Sequence, residues 1–536
     1  MKIKGLKCVM LMLALLAGGF GSAWRVSAML PADDGDAAIE APRRELRGAW
    51  LATVWGLDWP SQQGADKAIS ARQRAELGAI IEKLHTIGIN ALFFQVRSMA
   101  DAMYRSNYEP WSRFLTGARG TAPADASWDP LQYAVEKAHS LGMECHAWVN
   151  PFRVTNNVSL PNSANDRRMA QLGWLITYRK TQGRTSTSTT ILDPGNPAVR
   201  DYIADVCRDI ISRYDVDGLI FDDYFYPEGL PEGGGYDYDE YAESGTELSQ
   251  ADWRRSNVAA TIAGVRRMID EVRPEVKFGV SPAGVGGGDG LTAAAYGLPR
   301  CYAGHDWMHD GIYCDPLHWL AEGTIDYISP QIYWPHDHAT NPYGPIARWW
   351  SEVASHFNRH FYSSVSVERL SSSKSHTPHA EATVLIEANR DVSGTDAPGH
   401  IFYSVKKLIA ADSPIASHPR SYFPAPALTP EMTWRKSVDP GRITGLRHSG
   451  KMLTWQPNSA RRYAVYGLPR SEARLLETGE PPAMKYLLGV SYEPQFDLDK
   501  HSNRDMIYVV TPFDLTSREW PGTALFPDGT TAEQDA

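Results

Sequence analysis

Between Arg47 and about Leu408, short apolar runs alternate with longer amphipathic stretches. The runs fall at residues 48–53, 91–96, 144–149, 218–221, 277–281, 327–333, 361–367 and 400–405. Apolar runs without polar alternation mark strands covered on both faces, as in a parallel sheet flanked by helices. The stretches between them, at 71–86, 131–140, 197–214, 253–272, 315–322, 346–357 and 378–389, carry helical spacing. The first two stop at Gly88 and Gly142, residues suited to closing a helix. Eight strands in repeated β-α units favour an α/β fold closed into a (β/α)8 TIM-type barrel, placed at 40–425. No GxGxxG opens the first unit, which weighs against a doubly wound nucleotide-binding sheet.

After about Pro426 the rhythm changes. Short β-branched or aromatic runs at 442–446, 451–455, 463–466, 486–490 and 506–511 are separated by Pro, Gly and Asn. They predict a small all-β sandwich, fibronectin type III-like, over 430–525, with 423–430 as its linker. At the other end, Lys2, Lys4 and Lys7 precede an apolar stretch from Cys8 to Phe20, and small residues follow at Ser22-Ala23 and Ser27-Ala28. That is the order of a secretory signal peptide, taken as 1–28, which predicts export to the periplasm or cell surface. The apolar stretch is too short to span a bilayer, so no integral membrane span is expected.

Composition narrows the function. The 536 residues are 43% hydrophobic, 11% aromatic and 22% charged, which excludes collagenous, coiled-coil and largely disordered chains. Lys and Arg number 53 against 63 acids, a net charge of −10, and removing residues 1–28 takes away only positive charge. Nucleic acid is therefore not an expected partner. Beyond Cys8 the cysteines are Cys145, Cys207, Cys301 and Cys314. The last two are spaced to close a short loop in an oxidising compartment, or with His305 and His309 to hold a metal; the first two read as buried thiols.

Barrel active sites are built where the strands end. Polar and aromatic residues collect there: Trp55, Asp58 and Trp59 after the first run, then Gln95, Arg97, Asp101, Glu109 and Trp111 with the second. The third contributes Glu144, His146, Trp148, Asn150 and Arg153, the fourth Asp222, Asp223, Tyr224 and Tyr226, the sixth Gln331, Tyr333 and Trp334. Aromatic faces with amides and carboxylates suit a sugar, so Trp55, Asp58, Trp59, Arg97, His146, Asn150, Arg153, Tyr224, Gln331, Tyr333 and Trp334 are the expected substrate contacts. The alternative is that some of them only pack loops together.

The sharpest motif is VDGLIFDDYFYP, residues 216–227. Alternation along a strand sends Asp222 and Asp223 to opposite sides. Glycosidic cleavage uses two carboxyl groups. Asp222 is the first candidate, with Glu109 as its expected partner, then Asp58 and Glu144; Asp223 is either catalytic or a turn cap. His146, in HAWVNP, belongs to no metal motif, and the HxH pair His336 and His338 has no third ligand within its motif. Neither metal nor cofactor is expected.

RGAWLATVWGLDWP (47–60), FFQVRSMADAMYRSNYEPWS (93–112), HAWVNPFR (146–153), DGLIFDDYFYP (217–227), DWRRSNV (252–258) and DYISPQIYW (326–334) stand in one order along the chain. In these motifs the protein resembles the glycosyl hydrolase-like family 10 of secreted bacterial proteins, across the whole barrel. The resemblance implies a TIM-type barrel, glycoside hydrolysis with cell-wall glycan strands as one substrate class, and a C-terminal β-sandwich. Two other classes compete: a non-catalytic glycan-binding protein on the same barrel, and a metal-dependent hydrolase. Carboxylates at several strand ends favour the enzyme, because buried charge is costly unless it is used.

Overall fold

A computed structural model describes residues 42–534, apart from 157–162, 183–184, 287–290, 303–305, 394–398, 479, 502 and 504. The expected signal segment, and His305 of the proposed metal loop, lie outside the described residues. Nine parallel strands form one sheet: Leu46–Leu51, Ala91–Arg97, Glu144–Val149, Gly218–Phe221, Lys277–Val280, Tyr327–Ile328, His360–Phe361, Ser363–Ser366 and Gly399–Tyr403. The seventh expected strand is split at Tyr362. Its first piece pairs with Tyr327–Ile328 and its second with Gly399–Tyr403, so the two ends of the sheet meet and the barrel is nearly closed.

The apolar runs are explained by two layers. Trp50, Phe93, Trp148, Ile220, Tyr327 and Ile401 point inward and fill the barrel. Leu51, Phe94, Val149, Phe221 and Val280 point outward against the helices. The inner aromatic layer fits because glycines make room for it. A Cβ on Gly218 would lie 2.3 Å from His146 Nδ1, and one on Gly279 2.2 Å from the Tyr327 ring. The expected helices form with identifiable starts: Asp66 caps Lys67–Thr86, Asp129 caps Pro130–Ser140, Asn196 caps Pro197–Arg213 and Ser249 caps Gln250–Val272.

One element was not expected. Arg153–Asn156, Leu175–Gln182 and Thr185–Leu192 form a three-stranded antiparallel sheet inserted after the third barrel strand. The C-terminal segment forms two antiparallel sheets, of three and five strands. Leu453, Tyr463, Val465, Tyr508 and Val510 share the apolar layer common to them. The stretch expected as a linker is packed: Leu428 N–H donates to Arg43 O and accepts from Glu45 N–H through its own carbonyl.

This C-terminal part seals the barrel floor with charge. Glu144 accepts from Lys277 Nζ at 2.8 and 2.9 Å, from Arg462 Nη1 at 2.6 Å and from Thr429 Oγ1 at 2.5 Å. Asp326 is held by Arg266 and Arg435, and Arg461 reaches Asp217 at 2.8 Å. Cys145 and Cys207 are buried, as expected; Cys301 and Cys314 are also buried, and no disulfide joins them among the described residues. No described helix is long and apolar enough to cross a membrane.

Two buried histidines carry a pH consequence. Burial lowers His400 to about 4 and His360 to about 3. Each takes up a proton more readily when unfolded, so the stability it contributes is complete above about 6.5 and is lost as pH falls toward those folded values. For His400 the loss at pH 5 is on the order of 2 kcal/mol. Urea unfolding at pH 7 and pH 5 checks this. His400→Phe, which keeps a ring stacked beside Phe402, should shrink the difference between the two pH values by that amount.

Candidate active site

Asp222 follows the strand Gly218–Phe221 in phase with Ile220, so its side chain turns toward the barrel axis. It is 3% exposed. Trp148 Nε1 donates to its Oδ2 at 3.0 Å and Asn150 Nδ2 to its Oδ1 at 2.9 Å, both from the end of the neighbouring strand. Burial pushes this carboxyl up, against the opposing pull of Arg153 and of those two donors. Asn150 is itself fixed, because its Oδ1 accepts the N–H groups of Phe152 and Arg153 at 3.3 and 2.8 Å.

Asp223, beyond the end of the strand, is half-buried and lines a cleft of about 300 Å³. Burial, then the charge of Asp222 beside it, pushes Asp223 up to about 7, while a hydrogen bond from Gln331 opposes the shift. The motif thus holds two adjacent carboxyls that are both raised by burial, with the charge of Asp222 adding to the rise at Asp223. Tyr224, 52% exposed, lies in the same cleft with the Arg153 guanidinium 4.5 Å over its ring. Tyr333 stacks on Tyr403 at 5.7 Å. Trp55 is exposed at the end of the first strand, its ring under Arg113 at 4.9 Å.

Several residues expected at the site are held elsewhere. Glu109 takes a two-pronged ion pair from Arg97, Nε at 2.8 Å and Nη2 at 2.6 Å, and a hydrogen bond from Tyr202 at 3.1 Å. Arg97 also donates to the carbonyls of Asn150 and Pro151. The pair braces the loop behind Asn150, and its atoms are committed to one another. His146 is fully buried inside the barrel, between Tyr327 Oη at 3.0 Å and Glu144 Oε2 at 3.1 Å. Glu144 begins its strand and so belongs to the floor. Trp59 is in the core against Phe94 and Trp128, its Nε1 donating to Gln73 O. Asp58 accepts the N–H groups of Ala52 and Lys406, both at 2.8 Å, and ties the end of the first strand to the segment after Gly399–Tyr403. Trp334 is partly buried, with its ring near His338. Apart from Trp334, these side chains are engaged in packing and bracing.

The inserted sheet supplies what the sequence reading missed. Tyr178, Lys180, Thr187 and Thr189 line the cleft opposite Asp223, with Trp307 and Glu228 beyond them. Lys180 Nζ is 2.9 Å from Glu228 Oε2, and Trp307 Nε1 donates to Glu228 Oε1 at 3.1 Å. The signal was present in TSTSTTIL, residues 185–192, where β-branched side chains recur every second position. Asp193, at the end of that strand, is buried and is pushed up to about 7 by burial.

The sequence model of the family described as Glycosyl hydrolase-like 10 matches residues 45–380. Glycosyl hydrolase DigH of Escherichia coli K12 is 38% identical over 332 residues, covering 59% of this chain and 72% of that protein. Glycosyl hydrolase YngK of Bacillus subtilis is 30% identical over 495 residues, covering 89% of this chain and 92% of that protein. Among solved structures, the glycoside hydrolase domain of PgaB (BpsB) from Bordetella bronchiseptica is similar over 70% of this chain and 99% of its own, at 11% identity and a TM-score of 0.45. The match over most of the barrel and the likeness to YngK over most of both chains together show that the chain belongs to the glycosyl hydrolase-like 10 family.

Proposed function

We propose that the protein is an exported glycoside hydrolase, cleaving a polysaccharide by acid/base chemistry centred on Asp222 and Asp223. Peptide-free peptidoglycan glycan strands are the first substrate to test. The observation that carries this reading is the half-buried Asp223, pushed up to about 7 next to a buried Asp222 whose carboxylate is held by Trp148 and Asn150. Asp223 donates its proton to the leaving glycosidic oxygen. With Asp222 ionised beside it, the bond from the anomeric carbon to that oxygen breaks, a water oxygen bonds to the anomeric carbon, and the proton the water gives up returns to the carboxyl pair. Glu109, committed to Arg97 and Tyr202, is not the second group. Tyr224 and Tyr178 offer faces for sugar rings, and Asn156, Thr187 and Thr189 offer hydroxyl and amide partners along the cleft. Export is supported by the lysine-led apolar segment at the N-terminus. The C-terminal sheets, read as fibronectin type III-like, serve as a brace for the floor.

The test is incubation of the purified protein with a panel of glycans that includes peptide-free peptidoglycan strands, followed by mass analysis. Shortened glycans with new reducing ends are expected from at least one member. Tight glycan binding with no products from any member would favour the glycan-binding alternative.

A further inference from the structure

Next to the aromatic rim, the loop after the sixth barrel strand meets the start of the helix Pro378–Ser393. There His336, His376 and Glu381 converge, with ligand-type atoms all within 4.8 Å of one another. His336 Nδ1 is 2.6 Å from Glu381 Oε2, His376 Nδ1 is 3.3 Å from His336 Nδ1, and His376 Nδ1 is 3.6 Å from the same Oε2. Two ligand atoms at 2.0–2.1 Å from a tetrahedral zinc ion stand about 3.3–3.4 Å apart. The three spacings bracket that value. Hydrogen bonding alone serves the triangle poorly. A proton on His336 Nδ1 satisfies its 2.6 Å contact with Glu381, and His376 Nδ1 then faces an occupied nitrogen at 3.3 Å, the Ser375 hydroxyl at a long 3.5 Å with its proton given to Asp337, and an oxygen at 3.6 Å, beyond hydrogen-bond range.

The surroundings are arranged for ligation. The Glu381 side chain is wholly buried, and among the described residues its ion partners are these two histidines. A buried carboxylate without a fixed cation is costly, and a dication offsets that cost. Glu381 Oε1 is occupied by the backbone N–H of His336 at 2.8 Å, which leaves Oε2 for the centre of the triangle. On the far side of the His336 ring, Nε2 lies 3.3 Å from Ser375 Oγ, and that hydroxyl donates to Asp337 Oδ2 at 2.9 Å. Asp337 Oδ2 also accepts the N–H groups of Lys374 and Ser375, at 2.8 and 2.9 Å, which shapes the turn presenting His376. Such outer hydrogen bonds set the tautomer and aim of metal-binding histidines. His338, the other half of the HxH pair, is turned to a different task and accepts the N–H of Asn341 at 3.1 Å.

We propose that His336 Nδ1, His376 Nδ1 and Glu381 Oε2 bind one divalent transition metal ion of the zinc class. Two imidazoles and one carboxylate suit that ion, and three protein ligands leave a fourth position on the side where both histidines are partly exposed. The ion ties the loop bearing Gln331, Tyr333 and Trp334 to the helix behind it. This site does not depend on the glycosidase reading.

The test uses the untagged full-length protein, stripped with a chelator and titrated with zinc in a calorimeter, with cobalt absorption as a second readout. One zinc per chain and a cobalt spectrum of four-coordinate intensity are expected. His376→Ala and Glu381→Gln should weaken zinc by more than the about 10–100-fold that loss of an outer hydrogen-bond partner costs. His338→Ala should leave binding unchanged. If Glu381→Gln fails to fold, His376→Ala, at a partly exposed position, decides. No stoichiometric zinc binding, or equal binding by wild type and His376→Ala, would overturn the proposal.

Discussion

Asp223→Asn is expected to lower kcat on a cleaved glycan by about 10²–10⁴-fold with little change in KM, the loss typical of a general acid. The amide keeps the size of the carboxyl and its contact with Gln331 but has no acidic proton. In the wild type, activity should fall as pH rises through about 7, where Asp223 loses its proton. It should also fall on the acid side as Asp222, itself raised by burial, becomes protonated. Asp222→Asn removes the charge that helps keep Asp223 protonated. Its residual activity should therefore lose its alkaline limb at lower pH than wild type, because a neutral neighbour no longer disfavours ionisation. A steady-state pH profile of the three proteins reads both effects.

The second large effect is on stability, at the opposite end of the barrel. Arg462→Met should destabilise the protein by about 3–5 kcal/mol, since it leaves Glu144 buried with one of its two full cations missing. Lys277 remains, but it is itself buried, and the Thr429 hydroxyl contributes no charge. Arg442→Ala, which breaks an exposed pair with Glu533, should have no measurable effect. Urea unfolding of the two variants separates the cases. A small loss for Arg462→Met would mean that water reaches the floor and the C-terminal sheets do not seal it.

The barrel was legible because most of its strands are largely apolar on both faces, and the pattern placed 144–149 and 218–221 to the residue. The split at Tyr362 was not, since a one-residue interruption leaves the apolar run unbroken. Asp222 could be placed from strand phase alone. Glu109 could not, because its identity as an ion-pair partner depends on Arg97 folding back across a loop. His146 and Glu144 were misjudged for a different reason. Both lie on a strand that ends at the active face, but Glu144 begins it, and a strand points its first residues at the floor. The inserted sheet was read through because its central strand is Thr- and Ser-rich and lacks an apolar face until Ile191. The His336–His376–Glu381 cluster has no local spacing to find, as a loop and a helix 40 residues apart bring its members together.

The most direct measurement of the central claim is product analysis in ¹⁸O-labelled water, with wild type, Asp222→Asn and Asp223→Asn acting on the same glycan. The wild type should release fragments that carry one solvent oxygen at each new reducing end, and the two folded variants should release almost none. Unlabelled fragments, or labelled fragments at the wild-type rate from Asp223→Asn, would contradict hydrolysis by this carboxyl pair.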